Sequence, residues 1–163
     1  MVTREPVYRE VERGDNPLLA RMIREVFEEH EAPRVGTVYS DPTTDDLYGL
    51  FRKERSVLFV AEIDGKPAGC CGVYPSAGLP VGVAELVKFY LAAGARGKGT
   101  GRKLMELSIR KAREFGYKQL YLESLPQYAR AIGIYEKQGF TPLERPMGKW
   151  EHNACNIWMI KEL

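Results

Sequence analysis

Long apolar runs are missing from this chain of 163 residues. The longest, such as Val57–Ala61, are the size of a strand, and a membrane-spanning helix needs about 20 consecutive apolar residues. The N-terminal stretch Met1–Arg13 is charged and carries no apolar signal core. Cysteine is scarce: three residues, two of them adjacent (Cys70 and Cys71), give no disulfide framework. Neighbouring strand residues point to opposite faces, so that pair makes poor metal-ligand geometry, and no metal is expected. Histidine is scarcer still, with two in the chain. His152 and Cys155 form His-x-x-Cys, in which a thiol nucleophile with a His base is conceivable. Neither sits in a strong nucleophile signature. His152 reads as a surface-loop residue, with lining an acceptor pocket as the alternative, and His30 as structural at a helix end, where a cation suits the dipole. Repeats, low-complexity segments and linkers are also absent. The expectation is one domain, residues 1–163, burying roughly 70% of its unfolded surface, in a reducing, cytoplasmic setting without a membrane.

Net charge is only +2, but it is unevenly placed. Residues 1–50 hold 11 Asp and Glu against 6 Lys and Arg, whereas residues 96–137 hold 10 basic against 4 acidic. A basic half suits a polyphosphate ligand and an acidic half a cationic partner, although two solvated faces would leave the same pattern. The basic residues interleave with the apolar side of a helix and form no continuous arm, which argues against nucleic acid.

Arg96-Gly97-Lys98-Gly99-Thr100-Gly101 is the most informative stretch. It lies between a strand-like run, Leu86–Leu91, and an amphipathic helix beginning near Leu104. A helix start leaves backbone N–H groups unpaired at the positive end of the helix dipole. Glycines let phosphates approach those groups. Arg96 and Lys98 add positive charge. This is a diphosphate cradle, the bland alternative being a tight turn without a ligand. It is not a phosphate-binding Gly-x-x-x-x-Gly-Lys loop. The third glycine also comes one residue too early for a dinucleotide fingerprint, which argues against a nicotinamide oxidoreductase.

Apolar periodicity and turn residues predict the rest. A short strand covers Tyr8–Glu12. Asp15-Asn16-Pro17 starts a helix with a capping side chain followed by proline. Asp41-Pro42-Thr43-Thr44 starts a second helix, with Leu47, Leu50 and Phe51 inside. Strands follow at Ser56–Ile63 and Lys66–Tyr74, joined by an Asp64-Gly65 turn, and at Val83–Leu91. The helix after the glycine loop ends at Gly116. A strand at Gln119–Glu123, a helix at Ala129–Lys137 and strands at Phe140–Leu143 and Asn156–Ile160 complete the chain. The fold class is α+β: a mixed, mostly antiparallel sheet flanked by helices, with one parallel strand-helix-strand unit.

Arg-x-x-Gly-x-Gly (Arg96, Gly99, Gly101) resembles the acyl-CoA loop of the GNAT N-acetyltransferase superfamily, and the element order is similar to that fold throughout. The resemblance implies an acetyl-CoA-dependent N-acetyltransferase without a metal. Acetyl-CoA would bind at Arg96, Gly97, Lys98, Gly99, Thr100, Gly101 and Arg102, and along the backbone of Phe89, Tyr90 and Leu91, where this strand splays from its neighbour. Ala84-Glu85-Leu86-Val87 resembles the segment carrying a general-base glutamate; burial would raise the Glu85 pKa toward a useful value. The alternatives are a strand carboxylate paired with Lys88 or an arginine, or a solvated one. Ala131–Phe140 resembles the motif whose tyrosine, here Tyr135, sits near the thioester sulfur and can protonate the leaving thiolate; its alternative is a core aromatic. Where the family often has Asn bonding the pantetheine arm, this chain has Tyr128. Gly133, costly inside a helix by about 1 kcal/mol, suggests close approach of backbone or cofactor. The acceptor is expected to be a primary amine of a small molecule or protein, attacked directly in a ternary complex. The rival reading is a non-catalytic acyl-CoA-binding sensor. Exposed sheet edges make a homodimer reasonable.

Overall fold

The computed structural model describes residues 5–163. Seven strands form one sheet: β1 (Val7–Glu10), β2 (Val57–Ile63), β3 (Lys66–Tyr74), β4 (Val83–Leu91), β5 (Gln119–Ser124), β6 (Thr141–Leu143) and β7 (Ile157–Glu162). Their spatial order is β1-β2-β3-β4-β5-β7-β6, antiparallel except where β4 meets β5. The α-helices among the described residues are α1 (Asn16–Glu29), α2 (Leu47–Leu50), α3 (Thr100–Glu114) and α4 (Ala129–Lys137). This is the expected α+β arrangement.

Each face of the sheet carries its own apolar cluster. Leu104, Met105, Ile109 and Ala112 of α3 and Tyr135 of α4 pack with Cys71, Ala84 and Leu86. Leu19, Met22, Ile23 and Phe27 of α1 and Leu47 of α2 pack with Leu58, Val60 and Cys70 on the other face. The adjacent cysteines therefore separate, one into each cluster, as strand alternation requires. Burial holds both thiols well above their ordinary pKa, so neither is a ready nucleophile.

Two helix starts work differently from the sequence expectation. α1 begins where Asp15-Asn16-Pro17 places it, but Asp15 does not cap it. Its carboxylate instead accepts from the Arg9 guanidinium at 2.7 and 2.8 Å and from the Glu12 N–H at 2.7 Å. A charge-assisted fork is stronger than a single neutral cap bond. The predicted second helix is two pieces. Asp41 caps a 3₁₀ turn over Pro42–Asp45, and Asp46 then accepts from Gly49 N–H to start the four-residue α2. Two successive capping aspartates end one turn by starting the next.

β4 and β5 pair only through Val83↔Gln119, Ala84↔Leu120 and Glu85↔Tyr121. Beyond Glu85 the strands part, leaving the far half of β4 without a neighbour on that edge. β4 is also bulged: Tyr90 pairs with Cys70 and Val87 with Gly72, so Lys88 and Phe89 together oppose Cys71. Lys88 takes φ +56°, a left-handed conformation uncommon outside glycine.

Candidate active site

A cavity of 420 Å³ opens where β4 and β5 part. Its wall brings together Glu85, Phe89, Tyr90, Leu91, Arg96, Gly97, Gly99, Thr100, Gly101, Arg102 and Tyr135. Of the residues expected to serve catalysis or cofactor binding, only Lys98 is not on that wall; it lies exposed on the same turn.

The glycine turn has a definite geometry. Gly97 and Gly99 sit at φ +76° and +81°, and Gly99 is the N-cap of α3. The first backbone bond into the helix runs from Lys103 N–H to Gly99 O at 3.0 Å. The N–H groups of Thr100, Gly101 and Arg102 therefore have no partner inside the helix. The Thr100 hydroxyl is buried on the cavity wall without a hydrogen-bond partner among the described residues. Free donors at the positive end of a 15-residue helix fit the diphosphate of a nucleotide-bearing ligand.

Gly101 also has a packing role. A Cβ there would lie 3.0 Å from Leu91 Cδ1 and 3.1 Å from Phe89 Cζ. The missing side chain lets α3 close onto β4. A Cβ on Gly133 would meet no atom of the described residues within 4 Å beyond its own helix backbone, so close backbone approach does not explain it. Arg96 also differs. Its Nε and Nη2 donate to Leu91 O at 3.3 and 3.0 Å, and Nη1 pairs with Glu29 at the end of α1. This guanidinium thus ties strand end, glycine turn and α1 together, and the Leu91 carbonyl is already engaged by it.

Glu85 stands at the vertex of the splay, half-buried. Burial, and secondarily the nearby Glu123 and Glu151, push its carboxyl up to about 7 against the lowering influence of Ser76 and Lys88. It lines both the main cavity and a second one of 240 Å³ on the α2 side of the sheet. Tyr135, 6% exposed, packs against Phe89 and Phe140 at centroid distances of 5.7 and 5.9 Å. Burial raises its phenol pKa well above the usual value. It remains a protonated donor at neutral pH.

Three wall residues were undervalued by sequence. His152 is not a plain surface residue: it lines both cavities, and its Nε2 lies 2.8 Å from Asp41 Oδ2. Burial alone would raise the Asp41 carboxyl, but the hydrogen bonds from His152 and Thr43 outweigh it and hold it at about 2. Tyr128 packs against Phe27 and His30, with its hydroxyl buried and without a hydrogen-bond partner among the described residues. Lys88 lines both cavities and is 7% exposed. Sequence offered it only as a partner for Glu85, and it is the bulge that turns it inward. Cys155 is buried with its thiol pushed up to about 12, chiefly by desolvation, which argues against a Cys155 nucleophile.

A model of the acetyltransferase (GNAT) family matches residues 21–140. The uncharacterized N-acetyltransferase YjgM of Escherichia coli (strain K12) is 35% identical over 159 residues, covering 97% of this chain and 95% of the relative. The crystal structure of an acetyltransferase from Streptococcus agalactiae 2603 superposes with a TM-score of 0.83 at 18% identity, covering 98% of this chain and 99% of that one. PaiA N-acetyltransferase from Thermoplasma acidophilum, solved in complex with coenzyme A, superposes with a TM-score of 0.74 at 16% identity, covering 98% and 100%. At these identities the two structures bear on the fold.

Proposed function

The chain belongs to the GNAT acetyltransferase family, and from that membership we propose that it moves an acetyl group from acetyl-CoA to a primary amine by direct attack in a ternary complex. The observation that carries this reading is the position of Glu85. It lies on a wall common to two cavities, one of which also holds the free N–H groups of α3. One cavity suits the thioester and the other the acceptor, with the carboxylate between them.

An ammonium has no lone pair, so the acceptor must lose a proton before it attacks. Glu85, poised at about 7, takes that proton directly or through a water while remaining substantially ionised at neutral pH. The N–H groups of Thr100, Gly101 and Arg102, with Lys98 near them, hold the diphosphate. The backbone of the unpaired edge of β4 at Phe89–Tyr90 borders the pantetheine arm. The Tyr135 hydroxyl donates to the departing thiolate. In a non-catalytic sensor, a base at the junction of two cavities and a buried phenol would have no task.

The test is thiol release from acetyl-CoA across a panel of primary amines. Turnover with at least one amine, lost in Glu85→Gln and Tyr135→Phe, supports the reading. CoA binding without turnover for any amine would favour the sensor.

A further inference from the structure

Lys88 is a buried cation on the strand that carries Glu85, and the acetyl-transfer steps do not use it. Strict alternation would place it on the α3 face with Leu86. The bulge and its φ of +56° instead turn Lys88 to the face of Glu85 and Val87, on the wall of the 240 Å³ cavity. A lysine held in a left-handed conformation is strained. The structure keeps it there although burial disfavours its charge.

Neither carboxylate neighbour of Lys88 bonds to it. Asp41 faces Lys88 but is bonded to His152 at 2.8 Å and to the Thr43 N–H and hydroxyl at 2.9 and 2.8 Å. Glu85 also faces it, yet has to stay free to receive a proton. Glu123 across the cavity accepts from the Tyr121 hydroxyl at 2.6 Å. No hydrogen bond or ion pair holds the Lys88 ammonium among the described residues. Lys53, Lys149 and Glu151 also line this cavity but are exposed, so Lys88, three residues from Glu85, is its buried cation and has no direct partner among the described residues.

Resting on the acetyltransferase reading, we propose that the acceptor is a small zwitterion, an amino-acid-like molecule whose amine meets Glu85 and whose anionic group pairs with Lys88. A buried ammonium gains most from an anion that arrives with the substrate, because the pair forms where water is excluded. The same contact fixes the amine beside its base. The anion is a carboxylate or a phosphonate.

Matched acceptors test this directly: L-phenylalanine against phenethylamine, L-lysine against cadaverine, and 2-aminoethylphosphonate against ethylamine. Each pair differs by the acid group. Calorimetric binding, with and without saturating CoA, and thiol release from acetyl-CoA are both measured. The wild-type chain is expected to favour the acidic member of at least one pair by about tenfold or more in Kd and in kcat/KM. Lys88→Asn and Lys88→Gly both tolerate a left-handed backbone. With melting temperatures showing that they fold, they should bring that preference to within about twofold. A preference confined to the carboxylate or the phosphonate pairs supports the proposal and identifies the anion. Equal binding of both members by the wild type, or an undiminished preference in both variants, overturns it. Selective binding without thiol release would sink the acetyltransferase reading and leave the anion site standing. Thiol release without selectivity would do the reverse.

Discussion

At the scale of single residues, Glu85 and Tyr135 make opposite use of burial. Desolvation raises both pKa values. For the carboxyl this brings titration to about 7, where it can exchange protons; for the phenol it secures the donor form. kcat/KM should therefore rise with pH through about 7 as Glu85 ionises. Glu85→Gln should lower turnover near neutral pH by about 10²-fold, with partial recovery at high pH where the amine deprotonates itself. The sign for stability is the opposite of that for a salt-bridged acid. A carboxyl whose folded pKa lies above its unfolded value binds more protons when folded, so stability falls as pH rises from the ordinary carboxylate range through about 7. Glu85→Gln removes that buried charge and should melt no lower than wild type at pH about 8. A pH–rate profile and melting curves on the same samples check both; a normal profile with a lower melting temperature would return Glu85 to the scaffold. Tyr135→Phe should lower kcat by about 10²-fold with CoA affinity largely intact, because only the leaving-group donor is removed. Single-turnover rates beside calorimetric CoA titration measure this.

At the scale of elements, the glycines of one short motif and the next helix do three different things. Gly99 supplies a left-handed cap in open space, Gly101 supplies contact between α3 and β4, and Gly133 meets nothing. Gly101→Val should be the most damaging, costing about 1–3 kcal/mol through overpacking. It should also weaken CoA binding, because Phe89, which it displaces, packs on Tyr135. Gly99→Ala should cost about 1–2 kcal/mol in backbone strain. Gly133→Ala should gain up to about 1 kcal/mol, or about 2–4 °C in Tm. Calorimetric melting of the three variants orders them, and a destabilised Gly133→Ala would mean that the open space there has to stay open.

Across the whole molecule, the acidic and basic halves of the chain meet at Arg96. Its guanidinium joins Glu29 on α1 to the Leu91 carbonyl of β4, immediately before the glycine turn. The ion pair with Glu29, 44% exposed, adds little; the two bonds to a strand-end carbonyl matter more. Arg96→Ala should destabilise the fold by about 1–3 kcal/mol, and CoA affinity should fall less than in Gly101→Val. Tm and CoA titration on the two variants decide it. A large affinity loss at unchanged Tm would make Arg96 a phosphate ligand first.

The sequence by itself determined the elements and the cradle. Period-2 and period-3.6 patterns record which face of each segment is apolar, and glycine spacing records where a backbone turns left-handed, both of which are local properties. It therefore placed all seven strands and the main helices, although it began α3 near Leu104 where the structure begins it at Thr100. Side-chain partners and pocket walls depend on which segments meet, and local pattern does not carry that. Asp15 turned to Arg9, Arg96 to Leu91 and Glu29, and His152 to Asp41 across 111 residues. The second cavity, and Lys88 within it, arose only in the tertiary structure. One extra residue in β4 opposite β3 rotates a lysine to the other face of the sheet, and the register that forces it exists only once the two strands have paired.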